Sequence, residues 1–486
     1  MTENTISPKI SGFEDLRFGF IFRGYYDAKW DLDSSIDYVA ERTEGDLRAE
    51  PDGEYLEADV DLREYHLLWT MGNFRIKAGR QQIVWGEADA IRISDIINPL
   101  DFSKDYTTTA YGYDWEDVRI PQRMIDIIYV VPESPQQVEL EFVLNPEDTR
   151  VHTYAPYGEL YYGPPGNMSL IGTGDLLTNY FPFGALGRPP FPPYTLKSMN
   201  KALGDAIDDA NPDSNSASFS GGMRLRAVLG GWDTHLFYYY QRAQNPVFTS
   251  SGNFSHLILP FPWDVYDENL GVKAHFPHKN TIGATVNYFH DLSGTVFRGE
   301  FGYTIDQPYS GLRQGVVTDP ASPDFGKAWD GWFNDSVVYK DTITYMLGFD
   351  RPTWIPFLNE TNTFFITGQF VHKFILDYND ENAGKNNKLL LSTTMGKDGF
   401  SDHQTLVSLV INTKYYDDDR IKPDVLVVWD INGHNGYVRP ALRWAPTYDW
   451  MLEVGALYFW ADSYTCGPFG PVKDDDQIYG SIEWKF

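Results

Sequence analysis

The sequence predicts a transmembrane antiparallel β-barrel of about sixteen strands, within a range of about fourteen to eighteen. Three observations carry that expectation. Apolar and polar residues alternate over many short stretches, the period of a strand with two unlike faces. Short and long connections alternate between those stretches. Aromatic residues make up 16% of the 486 residues while mean hydropathy is only -0.38, a pairing that suits aromatic girdles toward lipid and polar groups toward water. No run of about 18 apolar residues occurs, so any membrane span is made of strands.

Strands are expected near 13–26, 55–68, 73–83, 121–131, 137–146, 219–229, 233–243, 280–289, 295–304, 341–350, 362–374, 404–414, 421–431, 436–445, 449–460 and 477–486. In the second, Leu56, Ala58, Val60 and Leu62 oppose Glu57, Asp59, Asp61 and Arg63. Further along, Leu140 and Phe142 oppose Glu139 and Glu141, Leu225 opposes Arg224 and Arg226, and Phe297 and Phe301 oppose Arg298 and Glu300. Near the end, Leu442 and Trp444 oppose Arg439 and Arg443, Val454 and Tyr458 oppose Glu453, and Ile482 and Trp484 share a face of the last strand. The apolar members are expected in the lipid-facing band. The charged members are expected to brace the lumen as cross-strand pairs, with Glu57, Asp59 and Asp61 facing Arg75 and Lys77, Glu139 and Glu141 facing Arg224 and Arg226, and Arg439 and Arg443 facing Glu453.

A soluble β-sandwich also alternates, but the connections favour a barrel. Mostly tight connections near 70–72, 132–136, 230–232, 290–294, 351–361, 415–420 and 446–448 alternate with mostly long ones at 27–54, 84–120, 147–218, 244–279, 305–340, 375–403 and 461–476, with only 432–435 short in that second set. Short turns at one rim and long loops at the other are the outer-membrane arrangement, with both termini on the short-turn, periplasmic side. The whole chain reads as one barrel, with 84–120 and 147–218 folded over or into its mouth. Tyr154, Tyr157, Tyr161, Phe181 and Phe183 give 147–218 more aromatic surface than disorder allows, and a short helix is expected near 198–210.

The net charge of -29 argues against nucleic acid, because phosphate binding needs a basic face. The single Cys466 gives neither a disulfide framework nor a cysteine metal cluster. The opening MTENTISPKI has neither the basic nor the apolar region of a secretory signal, so the numbering reads as that of a processed chain. No GxSxG, HExxH, Walker loop or CxxCH is present, and His235, His290 and His372 are read as hydrogen-bonding residues rather than catalytic bases.

The strongest local signal is RIKAGRQQIVWGEADAIRISDIINPLDFS, from Arg75 to Ser103. Gly79 sits where a bulge would turn Arg80 from the lipid face to the lumen. The carboxylates Glu87, Asp89, Asp95 and Asp101 are candidate ligands for Ca²⁺, a hard cation that takes oxygen donors; the alternative is a structural loop held by arginine–carboxylate bonds. The positions Gly79, Arg80, Gln81, Trp85, Gly86, Glu87, Asp95, Asn98, Pro99 and Asp101 form a GRQ, WGE, D and NPxD pattern. That pattern resembles a Gram-negative outer-membrane family catalogued as a domain of unknown function, and the tail from Thr405 to Phe486 is similar to it as well. The resemblance implies a barrel that moves amphiphilic or hydrophobic molecules, more distantly similar to alginate-export and long-chain fatty-acid channels.

The expected function is therefore a non-enzymatic outer-membrane channel or transporter, with Arg80, Trp85, Glu87, Arg224, Arg226, Arg298, Glu300, Arg439 and Arg443 along the substrate path. Partners expected on this reading are outer-membrane lipid, lipopolysaccharide and a periplasmic or inner-membrane transport component. Two alternatives stay open: a secreted β-rich glycan hydrolase using carboxylate pairs, and a barrel serving as sheath or anchor for a partner protein.

Overall fold

The computed structural model describes residues 2–6, 15–26, 58–88, 92–102, 115–146, 151–154, 219–250, 272–316, 328–333, 336–378, 388–390, 395–396, 399–400, 402–416, 420–462, 469–470, 473 and 476–484. Sixteen strands build its wall. They are β1 (Asp15–Tyr26), β2 (Ala58–Met71), β3 (Phe74–Gln81), β4 (Gln122–Val130), β5 (Glu139–Asn145), β6 (Ser220–Leu229), β7 (Trp232–Arg242) and β8 (His278–His290). The second half comprises β9 (Thr295–Val316), β10 (Val338–Thr353), β11 (Phe364–Ile375), β12 (His403–Asn412), β13 (Ile421–Asp430), β14 (Asn435–Trp444), β15 (Trp450–Ala461) and β16 (Gln477–Trp484). Each pairs antiparallel with the next in chain order, so the wall is an up-and-down meander. Thr2–Ile6 pairs along the outer edge of β1.

Every expected strand is present, most with ends within three residues of those read from the alternation; β9 runs well past its expected end. The tight turns explain why. Gly72 and Gly230–Gly231 adopt positive φ, the backbone that a two-residue hairpin needs to match the twist of its strands. These turns fix register, and register fixes which side chains face out.

The outer face is apolar. Phe142, Leu225, Phe301, Leu442, Val454, Tyr458, Ile482 and Trp484 are all exposed, with Ile482 at 71%, while Leu140 beside Leu225 is half-buried. A protein of the aqueous phase would not spread so many large side chains over a continuous surface, which removes the soluble-hydrolase alternative. Such a wall belongs in the outer membrane, where pairing from strand to strand satisfies the backbone and the apolar band meets lipid.

The inner face divides into two sectors. Strands β2 to β9 carry most of the charged pairs, whereas β13 to β16 turn Leu426, Val428, Tyr437, Leu457, Phe459 and Tyr479 inward as a packed apolar cluster. Two parts of the charge ladder fall elsewhere than expected. Arg75 and Lys77 lie opposite Thr70 and Leu68, not opposite the acids of β2, because the two-residue turn at Gly72 pairs only the nearest residues of the hairpin. Asp61 instead meets Arg80 at 3.1 Å, Asp59 lies opposite Tyr25, and Glu57 is outside the described residues. Arg443 pairs with Glu453 as expected, but Arg439 reaches Asp424 at 2.9 Å. Four residues separate the two arginines, about 13 Å of strand, so one glutamate cannot serve both.

Candidate functional site

Between β3 and β4 the chain leaves the wall and runs across the inner face as a strap, described over residues 82–88 and 92–102. Three groups of contacts hold it. The first surrounds Trp85, which is 1% exposed and packs with Ile83, Ile97, Met124, Val143, Phe237 and Tyr239. Its ring lies 5.5 Å from Phe237 and 5.6 Å from Tyr239. Its indole N–H donates to Glu141 Oε1 at 3.0 Å, and the other oxygen of Glu141 accepts from Arg224 Nε at 2.7 Å. The Arg224 guanidinium also stands 5.6 Å over the Trp85 ring, so one carboxylate and one cation–π contact fix the indole from both sides. Room for this comes from Gly222, where a Cβ would lie 2.6 Å from Tyr239 Cδ2.

The second group lies on β9. The carboxylate of Glu300, 4% exposed, accepts the backbone N–H of Glu87 through Oε1 and that of Ser94 through Oε2 at 3.0 Å. Arg298 donates to the Glu87 carbonyl at 2.7 Å and to Asp350 at 2.8 Å. Beyond it, Ile93 packs with Met346, Val371 and Leu406 of β10, β11 and β12. The strap therefore touches walls separated by half the strand order, and the sheet curls round it.

The third group is the return. Asn98 is fully buried: its Oδ1 accepts from Ile83 N at 2.9 Å, and its Nδ2 donates to the Ile120 carbonyl at 2.8 Å. Gln122 and Gln244 donate to the carbonyls of Ile97 and Ile96. Asp95 takes Arg119 at 2.8 Å and Arg92 at 3.1 Å. The Leu100 N–H donates to His152 Nδ1 at 2.7 Å, which requires that nitrogen to be unprotonated; burial pushes the His152 pKa down to about 3.

Most of the sequence-singled residues thus meet in one structure, in roles that differ from those expected for several. Trp85, Glu141, Arg224, Arg298 and Glu300 converge on the strap; Glu87 contributes its backbone, with its side chain exposed. Arg226 braces the wall through Glu139 at 3.4 Å and Asp233 at 2.9 Å. Gly79 does not bulge: the ladder continues unbroken from His66↔Gly79 to Tyr65↔Arg80, and a Cβ there would lie 2.2 Å from the Tyr65 carbonyl oxygen. Arg80 keeps the position opposite exposed Tyr65 and Arg123 and is tied to Asp61 and the Leu62 carbonyl. The bulge is across the ladder, at Arg63, where Phe22 pairs with Leu62 and Ile21 with Glu64. Arg63 and Glu64 both turn inward as a result, buried at 3% and 7%, and Arg63 donates to the carbonyls of Glu116 and Arg119.

The carboxylates considered for Ca²⁺ do not assemble. Asp95 is committed to two guanidiniums, Asp89 lies outside the described residues, and among the described residues no three such ligands come together. Most of segment 147–218, including its expected helix and most of its aromatic residues, is likewise outside them.

Several solved structures share a resemblance of shape at low identity. The outer membrane channel DcaP of Acinetobacter baumannii is 8% identical, with 90% of this chain and 78% of that one covered at a TM-score of 0.36. OccAB3 of A. baumannii is 7% identical, with 97% and 90% covered at 0.40. Wzi of Escherichia coli, an outer membrane protein involved in group 1 capsule assembly and described as a carbohydrate binding β-barrel, is 7% identical, with 99% and 82% covered at 0.38. No curated protein matches the sequence. The family model described as protein of unknown function, DUF1302, matches residues 9–486, and this strap-bearing barrel belongs to that family.

Proposed function

We propose that the protein is an outer-membrane channel or transporter for an amphiphilic or hydrophobic small molecule, with both ends of the wall on the periplasmic side. The observation that carries this reading is the strap. A sixteen-stranded wall is wide enough for an aqueous channel, and the strap crosses it on specific polar contacts to β5, β6 and β9. The inner face supports the substrate class: ion pairs line β5 to β10, and β13 to β16 add an apolar cluster beside the Arg439–Asp424 and Arg443–Glu453 pairs, so a molecule with a polar and an apolar part meets both. In this reading the strap narrows the path.

The test is conductance in planar bilayers. Glu300→Ala removes the acceptor of two strap amides, and Trp85→Ala removes the anchor on the far wall. Each variant should conduct more than the parent, and the pair together more than either. Conductance unchanged in the double variant, with the barrel still heat-modifiable on gels, would remove the strap from the path.

A further inference from the structure

The chain is strongly acidic, at -29, yet one level of the inner wall toward the long-loop rim carries cations that pair with no acid among the described residues. Lys279 of β8 donates to Gln307 Oε1 at 3.1 Å. Lys373 of β11 places its Nζ 5.7 Å over the Tyr309 ring. Gln307 and Tyr309 share one strand, β9, with a single residue between them, and a bulge between Thr304 and Gln307 presents them together. Two lysines from strands on either side of β9 and β10 thus converge on one stretch of about 7 Å.

The residues paired with them across the ladder are neutral, and Asp306, the next position on β9 after Ile305, has an exposed side chain. Lys279 lies opposite Gln241, and Lys373 lies between Thr344 and Gln404. Gln404 in turn donates at 3.3 Å to Asp430, which also accepts from Gly433 N at 2.9 Å. Elsewhere on the inner wall the basic residues Arg224, Arg226, Arg298, Arg439 and Arg443 each meet a carboxylate. Two ammonium groups brought to one stretch of strand, with no carboxylate paired to either among the described residues, are costly unless an anion joins them. Hydrogen-bonding neighbours also surround the place such an anion would occupy: the Tyr309 and Thr342 hydroxyls are 2.6 Å apart and buried. On the same face of β11, two residues nearer the strap, Val371 begins the apolar patch with Met346, Leu406 and Ile93.

From this juxtaposition we infer that Lys279 and Lys373, over Gln307 and Tyr309, bind the anionic head, a carboxylate or a phosphate, of an amphiphile whose hydrocarbon lies toward the Ile93 patch. The inference rests on the transport reading and narrows its substrate class. It predicts a preference set by head-group charge at constant chain length.

The probes are dodecanoate, dodecyl phosphate and dodecanol, titrated into the detergent-solubilised protein by calorimetry, each below its micellar concentration. The unmodified protein should bind at least one of the two anions about tenfold or more tighter than dodecanol, a difference of the size of one charge-assisted contact; the stronger anion identifies the head. Lys279→Gln with Lys373→Met should abolish the preference, and Lys373→Arg should keep it. Equal binding of all three probes overturns the site, as does a preference that survives the double substitution. Binding of none of them by a protein that still conducts, and whose conductance still rises on Glu300→Ala, also overturns the site while leaving the channel standing. A double variant that fails to fold is replaced by Lys373→Met alone, which must lower the preference if the site exists.

Discussion

Three residues show how much a single position carries in this wall. Leu225 is exposed on the lipid face between Leu140 and Leu236. Leu225→Arg should cost about 2–4 kcal/mol near the midplane, read as a lower urea midpoint for folding into vesicles, and a variant as stable as the parent would contradict the membrane setting. Gly79 has φ +140 and no space for a Cβ, so Gly79→Ala should cost about 1–3 kcal/mol in backbone strain by the same measurement, although alanine is the better strand former. His152 gives a pH dependence with a definite sign. Its folded pKa, about 3, lies below the ordinary 6.5, so the unfolded state takes up the proton first. The stability that neutral His152 contributes is complete above about pH 6.5 and is lost as pH falls toward 3. The protection factor of the Leu100 amide, which donates to its Nδ1, should fall across that window while that of Val143 in β5 does not.

The strands themselves were legible because each is a complete sentence of alternation bounded by turn residues. Their charge pairs are legible where acids and bases fall on strands adjacent in the count: Arg443↔Glu453 follows from counting outward from the turn near 446–448, and Glu141↔Arg224 from adjacency across the long 147–218 connection, whereas the partner of Asp61 does not follow. The reason is Arg63. One inserted residue puts Arg63 and Glu64 on the same face, and a period-2 reading, which places Arg63 with Asp61 and Glu64 opposite, cannot register the change. Deleting Arg63 should restore regular alternation and leave the barrel folded, while exposing the segment it holds through Glu116 and Arg119. Faster amide exchange at Ile120 with unchanged heat-modifiability would show it. The strap was visible as a motif but not as a geometry. Asn98–Pro99 reads as a turn, and the chain bends at Ile97–Asn98; that Asn98 also ties Ile83 to the chain entering β4 depends on Ile120, 22 residues on. Lys279, Lys373 and His152 have no signature at all, since each is a lone polar residue whose surroundings come from distant strands.

At the scale of the molecule, the strap and the wall define each other. Glu87 and Ser94 find their acceptor in Glu300, 213 and 206 positions later, and Ile93 finds Leu406 later still. Such separations are the contacts that slow folding most. The strap is also synthesised before thirteen of the sixteen strands, counting from β4. It cannot be threaded into a finished cylinder past Trp85 and Arg224; the later strands have to be laid around it, as staves are set around a former. The clamp at Glu300 is then a late event in assembly. Glu300→Ala should leave the rate of insertion into vesicles nearly unchanged and accelerate the loss of the inserted form, so that the variant is distinguished by its lifetime in the membrane rather than by its arrival there.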